Sequence, residues 1–331
     1  MNRMLHRGVV AAAALALGLG MTACGSDDEK DSAGAGDSSY PLTLESPFGE
    51  TTLEEKPTKV AVVSDVDIDI ALALGVEPVL SPLYGEISSW TAESAQEQGF
   101  GEITTYDASD GVDFEALAEA EPDVILATSG YTLEDDYDQL SKIAPVVSYQ
   151  GKDGLTSMTW DERTDEAARA LGLTDEAKKL ETDIAEQFTK VREANPDFEG
   201  ATYTQVNIHP EQITYESYEG SDTSFFSDLG FVLPDTATKY SATNNAVSKE
   251  NIDQLEADVV FVGYPFGDEG LLTRDELESD RLFTSLDAVK NGHYAVIPDE
   301  VASPLTYKTP LSVPWVLTQM TPLLQTAVAG S

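Results

Sequence analysis

Short apolar runs alternate with helical patterns along both halves of the chain. The segments "KVAVVS" (Lys59–Ser64), "DVILATS" (Asp123–Ser129) and "IAPVVSY" (Ile143–Tyr149) are typical of strands that are buried on both faces. After the first of them, "DIDIALALGVEPVL" predicts a helix that stops at Gly75, followed by another strand. Strands that alternate with helices in this way predict a parallel α/β architecture.

The longest helical pattern lies near the middle of the chain. "TDEAKKLETDIAEQFTKVREAN" begins at Thr174, a residue suited to an N-cap, and is ended by Pro196. Its apolar residues recur three and four positions apart, and they are Ala177, Leu180, Ile184, Phe188 and Val191. At about 1.5 Å per residue this helix would be roughly 30 Å long, which is enough to cross from one domain to another.

A similar unit occurs on each side of this helix. "VDFEALAEAEPDVILATSGY" (Val112–Tyr131) is echoed by "VSKENIDQLEADVVFVGY" (Val247–Tyr264). Each copy has a glutamate early in its helical part, an aspartate just before its strand and a tyrosine after the strand. Two copies at a long period indicate a duplicated lobe and not a solenoid. The predicted parts are an N-terminal α/β lobe (residues 41–173), a connecting helix (174–196) and a C-terminal α/β lobe (197–331).

The predicted fold class is α/β, with two lobes of parallel-type sheet joined by one long rigid helix and a ligand cleft between the lobes. Ligands of open α/β sheets bind beyond the carboxyl ends of the strands. Tyr131 and Tyr264 follow the repeated strands, so we expect them to face each other across this cleft. Glu115 and Glu250 stand at equivalent points of the two lobes and suit docking onto a symmetric partner.

The amino-terminal residues have the pattern of a secretory signal and not of a folded element. Residues 1–23 carry two arginines and then an apolar run, and they precede Cys24, the only cysteine of the chain. The position of Cys24 after "MTA" resembles a bacterial lipobox, which implies cleavage before Cys24 and lipidation of its sulfur. An ordinary signal peptide with an incidental cysteine is the alternative. The polar, Gly- and Ser-rich residues 24–40 read as a flexible tether.

Charge and residue types exclude several functions. With 19 Lys+Arg against 60 Asp+Glu, the surface repels phosphate backbones, so nucleic acid is a poor partner. Beyond the signal segment the histidines are His209 and His293, too few for a bare transition-metal site. No nucleophile–base pattern or phosphate-binding loop is present in the sequence. We therefore expect no catalysis, no cofactor and no bound metal.

In the order of its segments the chain resembles a known family. "KVAVVSDVDIDIALALGVEPV", the two repeated units and "LFTSLDAVKNGHYAVIPDE" are similar to the periplasmic-type binding proteins of ABC importers for iron–siderophore complexes, haem and vitamin B12. The resemblance covers about Tyr40–Ala329. It implies that Glu115 and Glu250 pair with arginines of the permease and that Tyr131, in "SGY", contacts the ligand. Where ferrichrome-type binders carry cleft tryptophans, this chain has "SATNNAVS" and "PDEVASP".

Aromatic side chains with a polar tip are the predicted ligand contacts, because such rings suit a large and partly apolar ligand. They come from loops and strand ends of both halves. The set is Tyr84, Trp90, Tyr131, Trp160, Tyr215, Tyr218, Tyr240, Tyr264 and Tyr307.

The predicted function follows from this resemblance and the anchor. We expect a monomeric extracytoplasmic lipoprotein, held to the cell membrane through Cys24, that captures a ferric siderophore and delivers it to an ABC permease. Few Lys and Arg lie near the expected cleft, which favours a neutral or cationic hydroxamate complex over an anionic catecholate. Haem or a corrinoid is the alternative ligand within the same fold. An enzyme or a surface-interaction lipoprotein on a two-lobe scaffold is the alternative of another class.

Overall fold

The computed structural model describes residues 39–267 and 270–330. These residues belong to one structural unit that contains two lobes, each built on its own β-sheet. The predicted signal peptide (residues 1–23) and the lipidation site Cys24 lie outside the described residues, as does the predicted tether up to residue 38. No helix in the described part of the chain is both long and apolar enough to cross a membrane.

The N-terminal lobe opens with a hairpin and continues as alternating strands and helices. Its strands are β1 (Leu42–Ser46), β2 (Gly49–Leu53), β3 (Val60–Val62), β4 (Ser81–Leu83), β5 (Thr105–Asp107), β6 (Val124–Ala127) and β7 (Val146–Ser148). Its helices are α1 (Asp65–Ala73), α2 (Ser89–Gln98), α3 (Phe114–Glu119), α4 (Leu133–Leu140), α5 (Gly154–Ser157) and α6 (Trp160–Leu171).

The sheet of this lobe is parallel. Strands β3, β6 and β7 pair side by side, and β4 pairs with β5. A single bridge between Ala61 and Leu80 joins the two groups, which gives the strand order β5-β4-β3-β6-β7. Every residue of β3, β6 and β7 is buried, as expected for strands that helices cover on both faces.

The C-terminal lobe combines α-helices of four to eighteen residues with several 3₁₀ turns. Its strands are β8 (Tyr203–Ile208), β9 (Ile213–Tyr215), β10 (Ala246–Val247), β11 (Val259–Gly263) and β12 (Tyr294–Val296). Its sheet has the order β10-β9-β8-β11-β12, in which β8, β11 and β12 are parallel and the other two are antiparallel. Its 3₁₀ helices are Pro196–Phe198, Asp235–Lys239, Lys249–Leu255 and Phe283–Ser285. The α-helices, numbered after the connecting helix α7, are α8 (Ser224–Asp228), α9 (Arg274–Ser279), α10 (Asp287–Lys290), α11 (Asp299–Thr306) and α12 (Ser312–Ala329).

The connecting helix α7 (Thr174–Ala194) has 21 residues and is therefore about 30 Å long. Its N-cap is Leu173, without a side-chain cap hydrogen bond, so Thr174 is the first helical residue and not the cap that the sequence predicted. Along its apolar stripe, Ala177 packs into the core of the N-terminal lobe, whereas Ile184 and Phe188 pack into the core of the C-terminal lobe. The predicted fold class, two α/β lobes joined by one long helix, is confirmed.

The repeated aspartates have the same task in both lobes. Asp123 accepts hydrogen bonds from the backbone N–H and hydroxyl of Thr58, each at 2.8 Å, at the start of β3. Asp258 accepts from the backbone N–H and hydroxyl of Thr202, at 2.8 and 2.7 Å, at the start of β8. Each aspartate thus fixes the strand that pairs with its own strand, in parallel register.

The helical parts of the two repeats differ. Asp113 caps α3 by accepting from the backbone N–H groups of Glu115 and Ala116. In the second copy Ser248 makes no side-chain cap bond, and Lys249–Leu255 is a 3₁₀ segment interrupted by non-helical backbone at Asn251. The repeated helical segment is therefore an α-helix only in the first copy.

Candidate ligand-binding cleft

A cleft of about 600 Å³ lies between the two lobes. The N-terminal lobe supplies the segments that follow β3, β4 and β6, which are the carboxyl ends of three neighbouring strands. The C-terminal lobe supplies α11 and the turn that leads from it to α12. A volume between roughly 300 and 1,000 Å³ is usual for pockets that hold a small molecule.

Three tyrosines form the most accessible part of the cleft wall. Tyr84, Tyr131 and Tyr307 are 59%, 66% and 57% exposed, although large aromatic rings are normally covered. The rings of Tyr131 and Tyr307 meet edge to face, with centroids 6.5 Å apart, so one side chain from each lobe takes part in the contact. Partial burial, with Tyr307 adding to it, raises the pKa of Tyr131 to about 12. The phenol therefore keeps its proton at neutral pH and can donate a hydrogen bond.

Trp90 forms a fixed apolar part of the wall. Its indole Nε1–H donates to Oδ2 of Asp69 over 2.8 Å. On its other side the ring packs against Trp315 of α12, with centroids 4.9 Å apart and planes tilted by 47°. The indole is thus held by one residue from each lobe.

Asp69 collects donors from both lobes. Besides Trp90, its carboxylate accepts from the hydroxyl of Thr91 and from the hydroxyl of Thr309, the latter at 2.6 Å. Burial raises the pKa of Asp69 to about 6, and the three donors limit that rise. The group is therefore mostly ionised at neutral pH.

A second buried aspartate of α1 holds the loop that carries Tyr131. Asp67 accepts from the backbone N–H and hydroxyl of Thr128, at 3.0 and 2.6 Å, and from the hydroxyl of Ser64. The guanidinium of Arg163 donates to the backbone carbonyl of the same residue, Thr128. Burial raises the pKa of Asp67 and lowers that of Arg163, while each opposes the shift of the other. Both ends of this charge pair therefore fix the start of the "TSGY" loop.

The cleft wall is acidic. No lysine, arginine or histidine is among the described residues that line it. Arg274, which is outside the lining, pairs with Asp299. The carboxylates on the wall are Asp65, Asp69, Glu86, Asp299 and Glu300.

Of the nine aromatic residues that the sequence singles out, the structure brings Tyr84, Trp90, Tyr131 and Tyr307 together on the cleft wall. It places the other five elsewhere. Their positions correct the expectation that all of them line the cleft.

Tyr215, Tyr240 and Tyr264 belong to the core of the C-terminal lobe. The rings of Tyr215 and Tyr240 stack with centroids 4.0 Å apart and planes 8° from parallel. Tyr264 is fully buried, with the guanidinium of Arg274 5.3 Å from its ring centre. It follows β11 directly, whereas Tyr131 comes four residues after the end of β6, so only Tyr131 has left the sheet.

Trp160 and Tyr218 are partly buried away from the cleft. Trp160, at the start of α6, packs against the core of the C-terminal lobe and lines a separate cavity of about 60 Å³. Lys308 lines the same small cavity and pairs with Asp222 at 2.8 Å. Tyr218 packs against the core that contains Tyr264. Neither aromatic residue is among those that line the cleft.

Sequence reasoning missed Asp69, Thr309 and the other polar members of the wall. A signal for the first was present in "DVDIDIALAL", where three aspartates alternate with apolar residues inside a helix that is otherwise apolar. Charged groups in such a helix need partners when they are buried. Asp65 and Asp69, four residues apart, share the face of α1 that is turned to the cleft.

The two histidines of the described residues, His209 and His293, are not on the cleft wall. His209 lies beside Phe266, with ring centroids 5.5 Å apart, and Nδ1 of His293 is 3.0 Å from the carbonyl oxygen of Ala327. Within residues 39–267 and 270–330, no group of three or more His, Cys, Asp or Glu side chains is arranged to hold a metal ion.

Two α/β lobes, one long connecting helix and a ligand-sized cleft at the strand ends define a solute-binding protein. The chain belongs to the Periplasmic binding protein family, which matches residues 60–301. The resemblance drawn from the sequence is thereby confirmed.

Similar proteins carry names from iron uptake. The chain is 25% identical to the Fe(3+)-citrate-binding protein YfmC of Bacillus subtilis in an alignment of 289 residues, with 82% of this chain and 83% of that protein covered. It is 24% identical to the probable siderophore-binding lipoprotein YfiY of the same organism, covering 85% and 87% of the two chains.

Among solved structures, the chain is similar to PiaA of Streptococcus pneumoniae, an iron uptake ABC transporter substrate-binding protein. The TM-score is 0.73 at 30% identity, and the match covers 88% of this chain and 100% of the other. A structure of PiaA in complex with ferrichrome matches equally well, over 87% and 98% of the two chains with a TM-score of 0.73.

Proposed function

We propose that this protein is an extracytoplasmic solute-binding lipoprotein that captures a ferric siderophore and delivers it to an ABC permease. The observation that carries the proposal is the cleft of about 600 Å³, which has three accessible tyrosines and a fixed indole on its wall. Iron that is already chelated needs no metal ligands from the protein. Aromatic and polar side chains of the cleft would instead contact the outer surface of the ferric complex. The named functions of YfmC, YfiY and PiaA support this reading.

A hydroxamate complex fits the cleft best. Five carboxylates and no cationic side chain are on its described wall, so the local potential repels an anionic ligand. Ferric trihydroxamates are neutral or carry a cationic side group, whereas ferric tricatecholates carry three negative charges. The complex of PiaA with ferrichrome, a hydroxamate, supports the same choice. The acidic wall argues against ferric citrate, the ligand named for YfmC.

A titration of the purified protein tests the proposal. The ligands are ferrioxamine B, ferrichrome, a ferric tricatecholate, ferric citrate, haem and cobalamin, and the readout is quenching of tryptophan fluorescence. We expect saturable quenching by a ferric hydroxamate with Kd below about 1 μM, or roughly −8 kcal/mol. Trp90→Phe should remove much of the quenching, because Trp90 is the tryptophan that lines the cleft.

Other outcomes would contradict the proposal in different ways. A tricatecholate that binds more than about tenfold more tightly than any hydroxamate would exclude the ligand class that we favour. Binding of haem or cobalamin alone would replace the siderophore by the other ligands of the family. Saturation by none of the six would leave a surface-interaction protein or an enzyme as the better hypothesis.

We also propose that Glu115 and Glu250 form a two-point dock for the permease. Both side chains are exposed, and both stand in the first turn after the N-cap of the repeated helical segment. Glu115→Arg combined with Glu250→Arg should leave siderophore affinity intact and abolish uptake in cells. Each substitution replaces the negative charge that would pair with an arginine of the permease by a positive charge that repels it. Normal uptake by that double variant would remove this role.

The membrane anchor through Cys24 remains part of the proposal, and Cys24→Ser should release the protein from the membrane fraction.

A further inference from the structure

Asp69 is the point at which the two lobes and the indole of the cleft meet. Its side chain is almost fully buried, with 3% of the residue exposed. Three donors converge on the carboxylate: Nε1 of Trp90 and the hydroxyls of Thr91 and Thr309. The first two come from α2 of the N-terminal lobe, and the third comes from the turn before α12, which is 240 residues away in sequence.

The donor from the C-terminal lobe is itself held in place. The hydroxyl of Thr309 accepts from the backbone N–H of Ser312 at 2.9 Å, and the backbone N–H of Thr309 donates to the hydroxyl of Ser312 at 2.9 Å. This reciprocal pair lies at the start of α12, an 18-residue helix. The carboxylate of Asp69 therefore lies next to the positive end of a long helix, which favours its ionised form.

We propose that Asp69 is a positioning residue for the ligand: its carboxylate fixes the indole of Trp90 against the cleft and ties the N-terminal lobe to Thr309 of the C-terminal lobe. The statement rests on the proposed function for the identity of the ligand, but not for the contacts. A carboxylate can accept from all three donors at once, since it has two oxygens with about four acceptor sites. The amide of asparagine has one accepting oxygen, and its NH₂ group would point a donor at one of the donors already there.

The first experiment needs no ligand. Protein labelled with ¹⁵N at the tryptophan indoles gives a separate signal for each ring, and Trp90→Phe assigns the signal of Trp90. We expect that signal to move with pH with a midpoint near the pKa of about 6 that burial gives Asp69. Asp69→Asn should shift the signal and abolish its pH dependence. Thr309→Val should keep the dependence and move its midpoint upward, because the hydroxyl of Thr309 lowers the pKa of Asp69.

Other titrating groups near Asp69 are known from the structure. Asp65, on the same helix, raises the pKa of Asp69, and the remaining carboxylates of the cleft wall are Glu86, Asp299 and Glu300. Asp65→Asn is the matched control, since it removes one charge from the same face of α1 without removing an acceptor of Trp90. The indole signal of Trp90 should still titrate in that variant. An indole signal of Trp90 that is unmoved by Asp69→Asn would overturn the proposal.

The second experiment measures affinity for ferrioxamine B. Asp69→Asn should weaken binding by about tenfold or more, because hydrogen bonds to a charged group are lost. Asp65→Asn removes the same charge and should weaken binding by less than about threefold. Equal losses would show that charge alone matters and would overturn the positioning role. Thr309→Val removes the bond between the lobes together with the acceptor for the backbone N–H of Ser312, and it keeps the carboxylate of Asp69. It should give an intermediate loss and covers the case in which Asp69→Asn does not fold.

Failure of the two proposals can be told apart. If the unsubstituted protein binds no ferric hydroxamate, the proposed function fails, while the indole signal still decides whether Asp69 fixes Trp90. If the protein binds ferrioxamine B and Asp69→Asn binds it equally well, the proposed function stands and the role of Asp69 fails.

Discussion

The two lobes share one sheet order and use it differently. In the N-terminal lobe the order is β5-β4-β3-β6-β7, and in the C-terminal lobe it is β10-β9-β8-β11-β12, which is the same order with every strand number raised by five. The five strands β3–β7 of the N-terminal lobe are all parallel, whereas β9 of the C-terminal lobe is antiparallel to both of its neighbours, β8 and β10. Strand β9 is antiparallel to β8 because only four residues separate Ile208, the end of β8, from Ile213, the start of β9. So short a connection leaves no room for the crossover helix that a parallel pair needs.

The contacts that hold the sheets are alike, and those that face the cleft are not. Asp123 and Asp258 each accept hydrogen bonds from the backbone N–H and the hydroxyl of a threonine at the start of the neighbouring strand. Tyr131, four residues after the end of β6, is 66% exposed in the cleft, but Tyr264, directly after β11, is fully buried. The C-terminal lobe instead supplies Tyr307, from the end of α11, as its aromatic side chain on the wall. The two lobes thus share a scaffold, whereas the side chains that they turn to the cleft differ.

Tyr264→Ala is expected to have the largest effect on stability. Removing a fully buried aromatic ring should cost about 3–5 kcal/mol and lower the melting temperature. Tyr131→Ala, its counterpart, removes an exposed ring and should change the free energy of unfolding by no more than about 0.5 kcal/mol. Differential scanning calorimetry of both variants checks this. Similar losses from the two would mean that the tyrosines have equivalent environments after all.

Asp123→Ala and Asp258→Ala test the part of the comparison that we regard as equal. Each substitution removes the hydrogen bonds that a charged carboxylate accepts from a threonine, and Asp123→Ala also removes the bond from the backbone N–H of Lys59, so each should cost about 1–3 kcal/mol. Chemical denaturation of the two variants gives the values. A loss in one lobe that is several times the loss in the other would break the equivalence of the two repeats. Substitution of the exposed Asp110, as a control, should have little effect.

The smallest expected effects concern pH and have opposite signs in two aspartates. Hydrogen bonds from Thr202 lower the pKa of Asp258, so its stabilisation is complete above the unfolded pKa and is lost as the pH falls through the lower folded value. Burial raises the pKa of Asp69 to about 6, so the native state binds more protons than the unfolded chain between about pH 4 and 6. Its contribution therefore falls as the pH rises through that window and is constant above it.

The measurement is the melting temperature of Asp258→Asn and Asp69→Asn against the unsubstituted protein at pH 3, 4.5 and 7. The cost of Asp258→Asn should be largest at pH 7 and shrink at pH 3. The cost of Asp69→Asn should be larger at pH 4.5 than at pH 7. The same trend in both variants would contradict the assignment of a lowered pKa to one and a raised pKa to the other.

Periodicity was sufficient to predict the scaffold from the sequence. The strand at Val124–Ala127, the connecting helix from Thr174 and the division into two lobes all follow from apolar spacing, which burial imposes directly. The repeat also predicted a shared role for Glu115 and Glu250, but not the 3₁₀ backbone around Glu250, because the two segments have similar residue patterns and differ in backbone.

The cleft could be predicted only in part. Tyr84, Trp90, Tyr131 and Tyr307 were among the predicted contacts, although Trp90 lies in α2 and not in a loop. Whether a tyrosine after a strand faces solvent or core depends on a spacing of a few residues. Tyr264 shows this, because it directly follows its strand and stays in the core. Asp69 and Thr309 are far apart in sequence, and nothing local to either one reveals the other.

The connecting helix α7 couples the unfolding of the two lobes. Ala177 packs into one core, and Ile184 and Phe188 pack into the other, so loss of either lobe strips one end of the helix of its cover. The exposed end would fray, and fraying would reach the residues that close the second core. We therefore expect the two lobes to unfold in a single melting transition, although each has its own sheet. We also expect no partly unfolded state, with one lobe folded and the other open to a protease, to accumulate.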